Sequence, residues 1–164
     1  MESDSTTQPL SASAKKVQDA LEKHGLDCKV KEMPASTRSA QDAANAIGCE
    51  VAQIVKSLVF RGRQSGEAIL VETSGANRVN EKILAEAAGE AIEKADADFV
   101  RAQTGFAIGG IPPVAHAKAL RTFIDQDLLQ YEVIWAAAGT PNAVFPLTPA
   151  GLVKITGGRV IRVS

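Results

Sequence analysis

A single cation interrupts an apolar stretch of this sequence. Lys56 lies in the run Ile54-Val55-Lys56-Ser57-Leu58-Val59-Phe60. If the run is a strand, its side chain shares a face with Ile54, Leu58 and Phe60, and we expect that face to be buried. A buried ammonium group is costly unless it meets an anion or several acceptors, which favours a lysine that lines a ligand pocket. The alternative is a strand-end lysine whose head group reaches water.

Residues 105–113 are rich in glycine and proline. The segment Gly-Phe-Ala-Ile-Gly-Gly-Ile-Pro-Pro holds three glycines and two prolines in nine residues. Glycines allow a backbone to approach a ligand, so the N–H groups of Gly109 and Gly110 could polarise a carbonyl oxygen. The segment matches neither Gly-x-x-x-x-Gly-Lys-Ser/Thr nor Gly-x-Gly-x-x-Gly, the patterns typical of nucleotide binding. The alternative is a tight structural connection that contains a cis-proline.

Other candidates carry weaker signals. His116 follows the glycine-rich segment and could reach the same ligand, although a lone histidine is also typical of a structural role. The small-residue turn at 136–142 could line a narrow pocket or only reverse the chain. Thr73 could offer a hydroxyl group, or belong to a turn.

No signal for covalent or metal-dependent chemistry is present. Cys28 and Cys49 have no histidine nearby in sequence, and no serine lies in a Gly-x-Ser-x-Gly turn. No cluster of ligands at metal-binding spacing occurs, so we expect no metal or other cofactor. The acidic residues between 81 and 98 are typical of solvated helix faces.

Charge and aromatic content limit the partners. The chain has 18 basic and 19 acidic side chains, a net charge of −1 and 4% aromatic residues. This argues against DNA and against a stacking platform for single strands. Local basic clusters, predicted to lack acidic neighbours, suit one or two phosphates, or only provide solubility; they comprise Arg61, Arg63, Lys154, Arg159 and Arg162.

Length and composition indicate one globular domain. With 164 residues, 45% of them apolar, the chain can bury a core. Residues 1–11 are polar and are predicted to be a flexible tail before a domain over 12–164. We find neither a secretory signal nor a membrane-spanning run, and we expect a cytoplasmic protein without membrane contact.

Hydrophobic periodicity and end signals predict the elements. Helices are predicted over about 12–24, with an N-cap at Ser11 or Ser13, and over 39–47, 80–89, 96–103 and from 148. Strands are predicted at 28–32, 122–124, 133–137, 144–146 and 159–163, with a hairpin of 54–60 and 68–71. Residues 91–94 are read as a connection. This order indicates an α/β (α+β) fold, a mixed sheet with helices packed around it.

These motifs together resemble the YbaK/ProX-type aminoacyl-tRNA deacylases, which are similar to the editing domain of prolyl-tRNA synthetases. The resemblance covers about residues 12–163. It rests on Val55-Lys56-Ser57-Leu58-Val59, Gly109-Gly110-Ile111-Pro112-Pro113, Thr122-Phe123-Ile124-Asp125, and the Ala-Gly-Thr turn that leads to Leu147-Thr148-Pro149. It implies a strongly twisted mixed sheet surrounded by helices.

The resemblance also implies roles for individual residues. Lys56 matches the essential lysine, near the terminal adenosine or its phosphate, and the Gly109–Pro113 loop matches the backbone that binds the aminoacyl carbonyl. The predicted catalytic set is Lys56, Gly109 and Gly110. The predicted substrate-binding set is Thr73, Ile111, Pro112, Pro113, His116, Ala137, Gly139 and Thr140.

The implied activity is hydrolysis, in trans, of a wrong amino acid from proline tRNA, with the acceptor end of the tRNA as partner and a prolyl-tRNA synthetase as a further one. Alanine is expected, or cysteine or a similar residue, because a wall of Ala136, Ala137, Ala138, Ile111 and Met33 would suit a small apolar side chain. Arg61, Arg63 or Arg159 would contact the tRNA at the rim. The alternatives are a module that binds tRNA or a synthetase without catalysis, and an esterase for small molecules.

Overall fold

The computed structural model describes residues 9–164, and in this part of the chain five α-helices pack against one eight-stranded sheet. The helices are α1 (Ala12–Lys23), α2 (Ala40–Ile47), α3 (Glu81–Ala88), α4 (Ala97–Thr104) and α5 (Pro149–Thr156). The strands are β1 (Lys31–Glu32), β2 (Ile54–Gly62), β3 (Ala68–Ser74), β4 (Ile92–Lys94), β5 (Arg121–Asp125), β6 (Ile134–Ala137), β7 (Ala143–Leu147) and β8 (Arg159–Ile161). Short 3₁₀ helices at Val51–Gln53 and Gln126–Gln130 complete the order.

The sheet is mixed, as predicted. Its order is β1-β7-β6-β2-β3-β5-β8, and β4 pairs with β2 outside this path. The pairs β2–β6, β3–β5 and β5–β8 are parallel and the others are antiparallel. The predicted hairpin is confirmed as β2 and β3, which form the centre of the sheet.

Side-chain caps account for the accuracy of the predicted helix starts. In all five helices the N-cap side chain accepts a hydrogen bond from a backbone N–H of the first turn, which would otherwise lack a partner. These caps are Ser11, Ser39, Asn80, Asp96 and Thr148. The N-cap of the first helix is therefore Ser11 and not Ser13.

Two predicted segments differ from the structure. Residues 91–94 are not a plain connection, because Ile92–Lys94 pairs with β2 across Phe60 to Gly62. Three residues are too few to show a strand periodicity, and only the tertiary pairing defines this strand. The strand predicted at 28–32 is reduced to Lys31–Glu32, at the edge of the sheet.

Both faces of the central strands are covered. One face packs against α1, α4, α5 and the glycine-rich segment in the larger core cluster, which contains Val55 and Ile111. The other face packs against α3 around Phe60, and against α2 around Ile54. The Lys56 face of β2 is covered as expected at Ile54 and Phe60, which are 6% and 7% exposed, and the opposite face is covered as well, with Val55 3% exposed.

The basic cluster on the β2–β3 loop has an acidic neighbour, contrary to the prediction. Arg63 forms an ion pair with Glu93, with 3.4 Å between Nε and Oε1. Arg61 lies over the ring of Phe99, 5.1 Å from its centroid. Most of the predicted tail lies outside the described residues. In residues 9–164 no helix is long and apolar enough to cross a bilayer, the longest having 12 residues.

Candidate active site

A cavity of about 360 Å³ lies between α2, β2, β6 and the glycine-rich segment. It brings together five of the predicted site residues, which are far apart in sequence: Lys56, Gly109, Gly110, Ile111 and Ala137. The remaining wall is largely apolar. Its members are small residues of α2 and β6 together with larger apolar side chains, and include Ala40, Ala43, Ile54, Trp135, Ala136 and Val144.

The position of the cavity follows from how β2 is paired. On the edge away from β3, β2 pairs with β6 only at Ile54 and Val55, and with β4 only from Phe60 to Gly62. Residues 56–59 therefore have no strand neighbour on that edge within the described chain. The glycine-rich segment lies beside this gap, and a second cavity, lined also by Ser57 and Ile111, continues along it.

Lys56 is half-buried at the cavity wall, and in the described part of the chain its side chain makes one hydrogen bond. Its Nζ donates to the backbone carbonyl of Asn77 at 2.7 Å. Burial lowers the pKa of Lys56, the charge of Arg78 lowers it further, and Asp125 acts in the opposite direction. The ammonium group has three protons, so this one acceptor leaves donors for an anionic ligand.

A network of carboxylates fixes the turn that holds Lys56. The side-chain amide of Asn77 donates to Asp125 Oδ2 and to Asp127 Oδ2, at 2.8 Å in each case. Asp125 is 1% exposed and also accepts from the backbone N–H of Ser74 at 3.0 Å. The Thr-Phe-Ile-Asp motif therefore acts on the site through the turn, because its aspartate orders the segment whose carbonyl binds Lys56.

The glycine-rich segment has a defined backbone. Gly109 has a φ of 101°, and a Cβ placed there would lie 2.8 Å from Arg38 Nε. The N–H of Gly110 already donates to Ala107 O at 3.2 Å, and its carbonyl accepts from Gly139 N at 2.8 Å. The N–H groups of Gly109 and Ile111 have no hydrogen-bond partner among the described residues.

Several predicted binding residues lie outside the cavity. Gly139 and Thr140 support the cavity from behind. The backbone of Thr140 packs so closely against Gly110 that a Cβ on Gly110 would lie 2.9 Å from Thr140 backbone atoms. Thr73 is fully buried opposite Lys56, and its hydroxyl group has no partner in the described chain. Pro112 is buried and lines neither this cavity nor the one that contains His116.

His116 and Pro113 line a different cavity, with residues of α1 and the segment before β5. His116 Nε2 lies 2.6 Å from the carbonyl oxygen of Pro112, and burial lowers the pKa of the imidazole. This contact ties the end of the glycine-rich segment to the turn that follows it. The structure thus gives His116 a loop-bracing position rather than a place beside Lys56.

The residues predicted to form the wall and the rim of the substrate pocket differ from those that the structure places there. Met33 and Ala138 do not line the cavity, and neither do Arg61, Arg63 or Arg159. The cationic side chain at its mouth is instead Arg38, which precedes α2 and is exposed. Sequence reasoning missed it, together with Trp135 and the alanines of α2. The only signal for the alanines was their spacing on one face of α2, and nothing in the local sequence marked Arg38 or Trp135.

Comparison with known proteins identifies the class. The family of aminoacyl-tRNA editing domains matches residues 34–155. A crystal structure described as that of a candidate trans-editing enzyme for prolyl-tRNA synthetase is 48% identical, with a TM-score of 0.90 over 95% of this chain and 99% of that one. The hypothetical protein APE2540 is 31% identical, with a TM-score of 0.84 over 90% and 98% of the two chains.

A curated relative carries a more specific description. EbsC of Enterococcus faecalis (strain ATCC 700802 / V583), described as a candidate Cys-tRNA(Pro)/Cys-tRNA(Cys) deacylase, is 28% identical over 127 residues, 77% of each chain. The chain described here belongs to the aminoacyl-tRNA editing domain family. It is an aminoacyl-tRNA deacylase, an enzyme that hydrolyses the ester between an amino acid and tRNA.

Proposed function

We propose that this enzyme acts in trans on proline tRNA that carries a small wrong amino acid, with alanine as the preferred residue and cysteine next. The observation that carries the proposal is the cavity that joins Lys56, the backbone of Gly109 to Ile111 and a wall of alanines. Ala43, Ala136 and Ala137 leave space for a short apolar side chain and offer no charged partner to a longer polar one.

The proposed mechanism uses backbone donors and one cation. The N–H groups of Gly109 and Ile111 polarise the ester carbonyl, because both lack an internal partner. Gly110 takes a supporting role, because its own N–H and carbonyl are engaged. Lys56 binds the adenosine end or its phosphate through the protons that Asn77 does not take, and Arg38 contacts the next phosphate at the mouth.

No side-chain nucleophile is proposed. The two cysteines, Cys28 and Cys49, do not line the cavity, and burial raises the pKa of both thiols. The attacking water is therefore placed by the substrate and by the cavity wall. In the described residues no group of three or more His, Cys, Asp or Glu side chains could hold a metal ion.

The partners follow from this chemistry. The acceptor end of the tRNA enters the cavity, and the near-neutral net charge of −1 suits contact with that end only. The similarity to a candidate trans-editing enzyme for prolyl-tRNA synthetase supports a prolyl-tRNA synthetase as a further partner. We expect the reaction to occur in the cytoplasm, where tRNA is charged.

The test is deacylation of proline tRNA charged with alanine, cysteine, serine or proline, with enzyme well below substrate. We expect turnover of the alanyl species first, the cysteinyl species next, and sparing of the prolyl species. Lys56→Ala should abolish turnover while the fold, followed by circular dichroism, is retained. The matched control is Lys82→Ala on α3, an exposed lysine away from the cavity. Full activity of Lys56→Ala, or hydrolysis of the prolyl species alone, contradicts the proposal.

A further inference from the structure

A buried carboxyl group lies directly behind the cavity wall. Glu72 on β3 pairs with Ser57 on β2, and Ser57 Oγ lies 2.5 Å from Glu72 Oε1. Glu72 is 0% exposed, and its second oxygen, Oε2, has no hydrogen-bond partner among the described residues. Ser57 lines both cavities along the open edge of β2. A glutamate in the middle of a central strand, without a cation, is not explained by the fold.

Within residues 9–164 no cation is paired with Glu72. Along its face of the sheet the neighbours in register are Ser57 on β2 and Ile124 on β5. In the described chain no charged side chain of β2, β5, α1, α4 or α5, and not His116 after the glycine-rich segment, bonds to Glu72; Lys56 on β2 lies on the opposite face of the sheet and bonds to Asn77. Burial raises the pKa of Glu72 to about 8, opposed only by the bond with Ser57.

The number of donors and acceptors on Glu72 and Ser57 then determines where the Ser57 O–H bond points. A neutral carboxyl group has one hydrogen to donate, and among the described residues Ser57 Oγ is the only hydrogen-bond partner of Glu72. If Glu72 donates to Ser57, no buried donor is left unpaired, and the hydrogen of Ser57 turns away from Glu72 toward the cavities. If Glu72 is ionised, it captures that hydrogen, and Ser57 presents only lone pairs to the cavities.

We propose that Glu72, in its neutral form, is a positioning residue that orients the Ser57 hydroxyl as a hydrogen-bond donor to the substrate. The inference rests on the proposed deacylase site. The acceptor is an oxygen of the aminoacyl ester or of the terminal ribose, because these groups enter the part of the cavity that Lys56 and Gly109 line together with Ser57.

The first experiment compares pH profiles of kcat for wild type, Glu72→Gln, Glu72→Leu and Ser57→Ala, after subtraction of uncatalysed hydrolysis. Wild-type kcat should fall as the pH rises from 7 to 9. Glu72→Gln should keep the wild-type rate at pH 7 and lose this fall, because an amide donates to Ser57 at every pH. Ser57→Ala and Glu72→Leu should be slower by about tenfold, the value of one well-placed hydrogen bond.

The outcomes are separable. An equal fall with pH in wild type and Glu72→Gln overturns the proposal, as does wild-type kcat in a Glu72→Leu variant that circular dichroism shows to be folded. If wild type deacylates no charged tRNA, the proposed function fails, and a ¹³C NMR titration of the Glu72 carboxyl group decides the inference alone. A transition near pH 8 that moves higher in Ser57→Ala supports it, and a transition at the pH of an ordinary glutamate overturns it.

Discussion

The ammonium group of Lys56 binds the backbone carbonyl of Asn77, 2.7 Å away, across the end of the β2–β3 hairpin. The side chain of Asn77 is itself held by the carboxylates of Asp125 and Asp127. The cation that lines the cavity is thus positioned by a turn, and the turn by a buried aspartate on the neighbouring strand. The motifs that contain Lys56 and Asp125 are more than sixty residues apart in sequence, and both act on the Lys56 ammonium group.

Asn77→Ala should weaken both the fold and the site. It removes two charge-assisted hydrogen bonds and leaves a buried carboxylate with fewer donors, which costs about 1–3 kcal/mol in the free energy of unfolding. We expect kcat to fall several-fold, because the carbonyl that holds Lys56 is no longer fixed. Urea unfolding and deacylation kinetics measure the two effects. Asn45→Ala on the exposed face of α2 is the control, and equal losses in both variants would contradict this role.

Gly109→Ala should impair catalysis more than its backbone strain predicts. Gly109 and Gly89 both have positive φ values, 101° and 79°, so alanine is strained at either position. A Cβ at Gly89 meets nothing within 4 Å, whereas one at Gly109 meets Arg38 at the cavity mouth. Both variants should lose about 1–2 kcal/mol of stability. Only Gly109→Ala should raise KM for the charged tRNA, and unchanged kinetics in that variant would show that Arg38 does not contribute.

Glu72 should make the fold less stable as the pH rises. Its pKa is about 8 in the folded chain, above the ordinary value of 4.5, so between these two the folded state binds more protons than the unfolded state. The free energy of unfolding should therefore fall from about pH 4.5 to pH 8, by at most about 1.4 kcal/mol per pH unit, and level off above that range. In Glu72→Gln this contribution is absent. Urea unfolding of both proteins at pH 5.5 and pH 8 measures this contribution. An equal change in the free energy of unfolding between the two pH values in wild type and Glu72→Gln would exclude it.

Ala137→Val should narrow the choice of amino acid. Ala137 lines the cavity, and two added methyl groups reduce the space for the side chain of the substrate. A pocket of this kind discriminates one methylene by about 1–3 kcal/mol, so kcat/KM for the cysteinyl species should fall about tenfold or more. The alanyl species should lose less. Ala102→Val, on the exposed side of α4, is the control for a general effect of the substitution. An unchanged ratio of the two substrates would place the aminoacyl side chain elsewhere.

Local sequence was sufficient for the helices and for the central hairpin. Ser39 and Asn80 cap their helices through side chains that lie next to the residues they bind, so the signal and the structure are the same short segment. Lys56 and the glycine-rich segment were found for a similar reason. A cation in an apolar strand differs visibly from the residues beside it, and so does a cluster of glycines.

The tertiary structure decided which of these features meet. Arg38, Trp135 and the alanines of α2 enter the wall because β2 and β6 pair over only two residues, and no local pattern encodes where that pairing ends. The absence of Thr73 from the cavity wall also follows from strand pairing. Thr73 lies directly opposite Lys56 in the β2–β3 pair, and it is buried because both faces of β3 are covered.

The sequence by itself thus determined the helices, most of the strands, the family resemblance and two segments that line the candidate site. Only the packed sheet determined that the N–H and carbonyl of Gly110 are both engaged, that His116 contacts the carbonyl of Pro112, and that Glu72 lies against Ser57. Capping and periodicity act over a few residues, so a sequence displays them directly. Burial and strand register depend on contacts between residues far apart in the chain, and these exist only once the sheet and its two layers have assembled.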